Sequence, residues 1–209
     1  MSKKFQDAPF DLSAEIRPLI HKLGMATGEE GRGAILTFIA ARRGEGTTTV
    51  ARSFVQALNT ETGKRILLIE AGAEEDATGS GIVELAASGT NIAASLTEAG
   101  SGIFVGQWVA SPQGRTQAGR IIQDKSFWQS LQNSFDVIVI DAPSLQSSSN
   151  GIAFAQASGS TILVVEAEAT RKEVIQNLRD TLLAVNVKIA GIVMNNRKLY
   201  IPEKVYKRL

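Results

Sequence analysis

Residues 34–49, AILTFIAARRGEGTTT, join a strand pattern to a helix pattern through a glycine-containing turn. Residues 34–40 form a short, mostly apolar run, which predicts a buried strand. From residue 47 to 59 the apolar residues recur at helical spacing, and the threonines at the start can cap a helix. Glycines in such a turn let backbone N–H groups point at an anion near the positive end of the helix.

The same alternation of strand and helix patterns continues along the chain. Buried strands are predicted at residues 34–40, 65–70, 136–141, 160–166 and 188–194, a further strand at 103–109, and helices at 47–59, 81–87, 124–133, 151–157 and 170–184. This order predicts an α/β fold, a three-layer, doubly wound and mostly parallel sheet. Because ligands of such sheets bind at the carboxyl ends of the strands, Glu70, Asp141 and Asn195 are candidates for a site beside the glycine turn.

Composition restricts the function classes. The chain has 209 residues, a net charge of +1, one histidine and no cysteine. These values exclude disulfides, thiolate metal sites and cysteine nucleophiles, and one histidine does not support a catalytic triad or a His/Cys metal cluster. The low net charge predicts no nucleic-acid partner.

No apolar signal core begins the chain, and no apolar run approaches the ~20 residues of a membrane span. We therefore expect a cytoplasmic protein, held peripherally at the inner membrane if a partner or a surface patch binds it there. Length favours one domain over residues 1–209, with an N-terminal segment 1–33 and a basic C-terminal tail 197–209.

The glycine turn fits the phosphate-loop pattern G-x-x-x-x-G-K-[ST] only in part. Gly46 and Thr48 match, whereas Ala41 replaces the first glycine and Thr47 replaces the lysine. Taken alone, this turn is as consistent with a simple corner between strand and helix as with a phosphate site.

Three segments carry a resemblance to a known family. GEGTTTVARSF at residues 44–54, FDVIVIDAP at 135–143 and GIVMN at 191–195 resemble, in order and spacing, the bacterial tyrosine kinases of capsule and exopolysaccharide synthesis. These kinases belong to the wider group of P-loop ATPases that includes ParA and MinD. The resemblance runs from about Gly33 to the C-terminus and implies a P-loop NTPase-like fold that uses ATP or ADP with Mg²⁺.

The resemblance also implies roles for individual residues. Asp141 matches the Walker B carboxylate, and Thr48 matches the hydroxyl ligand of Mg²⁺. Asp141 and, in an active protein, Glu70 would be catalytic; the alternatives are that Asp141 caps the next turn and that Glu70 is an exposed strand terminus. The implied nucleotide-binding residues are Arg42, Gly44, Glu45, Gly46, Thr47, Thr48, Thr49 and Asn195.

Two of the family's motifs are altered in this chain. Thr47 cannot supply the lysine's charge, and losing one charge-assisted hydrogen bond, worth about 1.5–3 kcal/mol, weakens binding about ten- to a hundredfold. We therefore expect weak nucleotide binding, unless Arg42 or Arg43 bends back to the phosphates. In the second acidic motif, Glu70 replaces the first aspartate and Gly72 the second.

The two ends of the chain also depart from the family. Its C-terminal tyrosine cluster is reduced to two candidate phospho-acceptors, Tyr200 and Tyr206, in a tail that holds five Lys or Arg and one Glu. This basic tail could contact an anionic membrane surface or remain a solvated face. Near the N-terminus, Glu15 and Arg17 lack the spacing of the family's ring-assembly helix, and Pro18 predicts a helix interruption.

Three functions remain open from the sequence. The first is a regulatory protein of exopolysaccharide or capsule synthesis and export, with impaired nucleotide binding and phosphoryl transfer. Its expected partner is the cytosolic segment of a membrane polysaccharide co-polymerase or a kinase subunit. The second is an active tyrosine kinase or ATPase with an altered loop, and the third is a ParA- or MinD-like dimeric switch. Under each of the three functions the chain could also form a homo-oligomer.

Overall fold

The computed structural model describes residues 13–24, 33–71, 81–96, 98–109 and 115–197. Strands and helices alternate along most of this chain, as the sequence patterns predict, although two helices or two strands follow each other directly between residues 82 and 132. In chain order they are α1 (Ser13–Lys22), β1 (Ala34–Ala40), α2 (Thr47–Thr62), β2 (Ile66–Glu70), α3 (Ile82–Ala87), α4 (Ile92–Ser95), β3 (Glu98–Gly100), β4 (Ile103–Gln107), α5 (Arg115–Gln123), α6 (Lys125–Gln132), β5 (Val137–Asp141), α7 (Asn150–Ala157), β6 (Ser160–Glu166), α8 (Lys172–Ala184) and β7 (Ile189–Asn195).

The strands form one sheet in the order β3-β4-β2-β5-β1-β6-β7. Every neighbouring pair is parallel except β3 and β4, which run antiparallel. Helices cover both faces, so the predicted three-layer, mostly parallel α/β fold is confirmed.

Each face of the sheet has its own hydrophobic core, because successive side chains of a strand point to opposite faces. In β5, Val137 and Val139 pack with α1 and α2, whereas Ile138 and Ile140 pack with α3 to α8. All four side chains are fully buried. Burial on both faces explains why the central strands are apolar without alternation.

Helix α1 differs from the sequence prediction, since it continues through Pro18. A proline inside a helix removes one backbone hydrogen bond and strains the preceding turn. Here Ile16 and Ile20 lie on either side of the proline and are buried at 5% and 0% exposure in the core that α2 shares. Their burial outweighs the local preference, so the predicted interruption was wrong.

Other differences concern weakly patterned segments. Helix α5 was not predicted, because its sequence is polar and, of its described side chains, only Ala118 and Ile122 are buried. Strand β3 and helix α4 were also missed, since each has only three or four residues. Helix α8 begins at Lys172, two residues later than predicted.

Within the described ranges, no helix combines the length and the apolar character that crossing a bilayer would require.

Two helical glycines give a matched test of this packing. A Cβ on Gly151 would lie 2.4 Å from the Pro143 carbonyl oxygen and 3.0 Å from Ile39 Cδ1, whereas a Cβ on Gly119 would have nothing within 4 Å. We expect Gly151→Ala to destabilise the fold by about 1–3 kcal/mol, because the clash is with backbone. Gly119→Ala should stabilise it by about 0.5–1 kcal/mol through helix propensity.

Thermal unfolding of both variants checks this prediction. A change of 1 kcal/mol should move Tm by roughly 2–4 °C in a chain of this size. Equal shifts of the same sign would contradict the packing described for Gly151.

Candidate nucleotide site

The loop between β1 and α2 has a shape that depends on glycine at two positions. Gly44 and Gly46 have φ angles of +92° and +88°, in the left-handed region that side chains disfavour. A Cβ on Gly46 would also lie 1.9 Å from Asn195 Nδ2. The loop therefore has the compact turn that places backbone N–H groups at the start of α2, as a phosphate loop requires.

Glu45 links this loop by hydrogen bonds to other segments at the same edge of the sheet. Its side chain is buried, and its Oε2 accepts the Arg42 backbone N–H at 3.0 Å. Its Oε1 accepts the Thr170 hydroxyl, in the turn after β6. Its carbonyl oxygen accepts Asn195 Nδ2 at 3.0 Å, at the end of β7. Glu45 was predicted to bind nucleotide, but both oxygens of its carboxylate accept hydrogen bonds from the protein itself.

Asn195 was predicted to be a nucleotide-binding residue. The structure places it at the carboxyl end of β7, with its side-chain amide against Glu45 and Gly46. Asn195 therefore supports the loop directly. The hydrogen bond from Thr170 to Glu45 was not predicted, because the sequence pattern placed Thr170 at the start of the following helix and not in the turn before it.

Thr48 and Asp141 form the polar pair beneath the loop. The Thr48 hydroxyl, in the first turn of α2, donates to Asp141 Oδ2 at 2.6 Å. Burial raises the pKa of the Asp141 carboxyl to about 7; the hydrogen bond from Thr48 opposes this shift, the charge of Glu70 adds to it, and Arg52 also opposes it. A buried carboxylate with a hydroxyl as partner is an environment that a cation would stabilise.

The pair fits the implied Mg²⁺. Hydroxyl and carboxylate oxygens are the ligands that Mg²⁺ prefers, and Mg²⁺ usually takes one or two protein oxygens while phosphates and water fill the other positions. Among the described residues, no three His, Cys, Asp or Glu side chains cluster as a complete metal cage. Thr48 and Asp141 would therefore hold the ion together with a bound phosphate.

A cavity of about 250 Å³ opens between the loop and the segment after β5. Arg42 and Arg43 are exposed, and Thr47 is half-buried. Thr49 lies beside them in the first turn of α2. The described residues that line the cavity are Arg42, Arg43, Gly44, Gly46, Thr47, Thr48, Asp141, Ala142, Pro143, Ser144 and Ser147.

A larger cavity of about 510 Å³ lies away from this edge, against α6 and the turn before α4. Its described lining holds no lysine, arginine or histidine and includes the acidic Asp124. An anionic nucleotide is therefore better accommodated in the smaller cavity.

Glu70 does not end its strand in solvent, so the interpretation of an exposed terminus was wrong. Its side chain is buried, and its Oε1 accepts Arg52 Nε at 2.8 Å and Arg52 Nη2 at 2.5 Å. Its Oε2 accepts Gln107 Nε2 at 2.7 Å. Neither partner was predicted from the sequence, although Arg52 follows Thr48 by four residues and therefore shares its helix face.

Gly72 and the two candidate phospho-acceptors, Tyr200 and Tyr206, lie outside the described residues, as does the basic tail beyond Arg197.

No family model and no curated protein matches the sequence. Solved structures do match. The kinase domain of Escherichia coli tyrosine kinase ETK aligns with a TM-score of 0.73 and 16% identity, over 91% of this chain and 79% of that one. The VpsO kinase domain aligns with a TM-score of 0.67 and 19% identity, over 87% and 98%.

A third match is the septum site-determining protein MinD from Pyrococcus horikoshii OT3, complexed with Mg-ADP. It aligns with a TM-score of 0.64 and 17% identity, over 84% of this chain and 76% of that one. The chain therefore has the fold of bacterial tyrosine kinase domains and of MinD ATPases, as its sequence resemblance predicts.

Proposed function

We propose that this chain is a regulatory protein of a bacterial exopolysaccharide or capsule system, with the fold of a tyrosine kinase and with weakened nucleotide binding and phosphoryl transfer. Its proposed partner is the cytosolic segment of a membrane polysaccharide co-polymerase or an active kinase subunit. The polysaccharide context rests on the resemblance of residues 44–54, 135–143 and 191–195.

The environment of Thr47 carries this proposal. Thr47 lines the cavity at the position of the family's lysine, and the two lining cations, Arg42 and Arg43, are exposed. Positioned positive charge on the transferring phosphoryl group is most of what a protein supplies in this reaction. The loss of the lysine's positive charge at residue 47 therefore reduces catalysis more than it reduces nucleotide binding.

Several binding features remain. The loop keeps its glycine conformations, and Thr48 with Asp141 fits a cation. The MinD structure with Mg-ADP shows that this fold accommodates a magnesium nucleotide in a relative of similar shape. We therefore propose that ATP or ADP binds with Mg²⁺ at the loop, with low affinity.

Restoring the lysine should restore affinity. We expect Thr47→Lys to bind Mg²⁺–ATP about ten- to a hundredfold more tightly than the wild type, because one charge-assisted hydrogen bond is regained. Isothermal titration calorimetry with ATP and with ADP measures this difference.

Thr60→Lys is the matched control, since it adds the same charge to an exposed position of α2. It should bind as the wild type does. Tight binding by the wild type itself, equal to that of Thr47→Lys, would contradict the proposal.

The alternative is an active kinase or ATPase in which a loop arginine supplies the missing charge. It is favoured by one observation, that Arg42 and Arg43 both line the cavity. It predicts ATP turnover or autophosphorylation that falls at least tenfold in Arg42→Ala or Arg43→Ala. Our proposal instead predicts turnover near background in the wild type and in both variants, measured by phosphate release and by tyrosine phosphorylation.

The raised pKa of Asp141 predicts a pH-dependent stability. Because the pKa of this carboxyl is about 7 in the folded chain against an ordinary 3.8, the folded state binds the proton more strongly. The resulting stability is complete below pH ~4 and is lost as the pH rises through about 7. Each pKa unit is worth about 1.4 kcal/mol, so the total effect is on the order of a few kcal/mol.

Asp141→Asn removes this titration. In EDTA and without nucleotide, we expect its Tm relative to the wild type to rise between pH 5 and pH 8. Asp180→Asn, at an exposed carboxylate of α8, serves as the control and should keep a constant difference. A difference for Asp141→Asn that does not change with pH would rule out a proton held at this site.

A further inference from the structure

Three polar side chains end neighbouring strands in one row. The register pairs Glu70 of β2 with Asp141 of β5 on one side and with Gln107 of β4 on the other. Paired residues of parallel strands point to the same face, about 4.8 Å apart. This face is the one that α2 covers, as the burial of Ile66 and Leu68 with α2 shows.

Helix α2 places two side chains over this row. Thr48 lies over Asp141, and Arg52, one helical turn later, lies over Glu70. The Arg52 side chain is 34% exposed, whereas that of Glu70 is 7% exposed. The guanidinium therefore forms a two-nitrogen contact with a carboxylate that is almost out of solvent.

Both carboxylate oxygens of Glu70 have donors from the protein. Oε1 accepts two nitrogens of Arg52, and Oε2 accepts the amide of Gln107. A carboxylate held in this way would have to break charge-assisted hydrogen bonds before it could bind a cation. Asp141, in contrast, accepts a hydroxyl that can itself become a cation ligand.

We propose that Arg52 and Gln107 are positioning residues that hold Glu70 away from the cation site of Thr48 and Asp141, and that Arg52 thereby sets the affinity of that site for divalent cations. The family resemblance implies a catalytic or metal-binding role for Glu70; here Glu70 is a buried structural anion. The inference rests on the cation site proposed above.

The test is Mn²⁺ binding, measured by electron paramagnetic resonance with the 209-residue chain and without nucleotide. Arg52→Ala releases Glu70 and removes its neutralising charge, so Mn²⁺ should bind about tenfold more tightly than to the wild type. In Arg52→Ala combined with Glu70→Gln, this gain should disappear. Gln107→Ala frees Oε2 without changing the charge and should raise the affinity about threefold.

Controls separate this effect from others. Arg179→Ala removes the same charge from the exposed face of α8 and should leave Mn²⁺ affinity unchanged. Thermal unfolding in EDTA establishes that each variant is folded. If Arg52→Ala does not fold, Gln107→Ala and Arg52→Gln give the same comparison.

Two results would overturn the inference. One is equal Mn²⁺ affinity in the wild type, in the Arg52 variant and in Gln107→Ala. The other is a gain in Arg52→Ala that persists after Glu70→Gln. Failure of the underlying cation site gives a different result, since Asp141→Asn would then leave Mn²⁺ binding unchanged or no variant would bind Mn²⁺ at all, and both proposals would fall.

Discussion

Burying a carboxylate costs free energy unless it is paired or hydrogen-bonded, and this requirement organises the whole polar edge of the sheet. Among the described residues, the buried carboxylates are Glu45, Glu70 and Asp141, with exposures of 3%, 5% and 3%. Glu45 belongs to the glycine loop, and Glu70 and Asp141 end neighbouring strands at the same edge of the sheet. The apolar sheet, covered on both faces, leaves its carboxyl edge as the place where such groups can find partners.

Each of the three carboxylates meets this requirement in its own way. Glu45 accepts a backbone N–H and a threonine hydroxyl, and so holds the loop. Glu70 is matched by a guanidinium and an amide. Burial raises the pKa of the Asp141 carboxyl to about 7, and the hydrogen bond that it accepts from the neutral Thr48 hydroxyl offsets this shift only in part. Of the three, Asp141 is therefore the carboxylate that a bound cation would stabilise most. Mg²⁺ with phosphate would be expected to bind there.

Local patterns predicted the fold well where the burial signal was strong. The central strands and α2 were expected from apolar runs and helical spacing, and the sheet confirms them. Helix α5 has too few buried residues to produce such a signal. Pro18 led to a wrong prediction of a helix interruption, because helix propensity is a local property. The helix continues through Pro18 because Ile16 and Ile20 are buried against α2. The carboxyl-edge location of Glu70, Asp141 and Asn195 followed from their positions at strand ends.

The sequence by itself determined the order of strands and helices, the glycine turn and the absence of a lysine from that turn, since these depend on residue type and spacing along the chain. Tertiary structure alone decided the partners of the buried carboxylates. Glu70 meets Arg52, 18 residues away, and Gln107, 37 residues away, and Glu45 meets Thr170, 125 residues away. Such contacts depend on sheet order and register, which bring distant strand ends together and which no local pattern encodes.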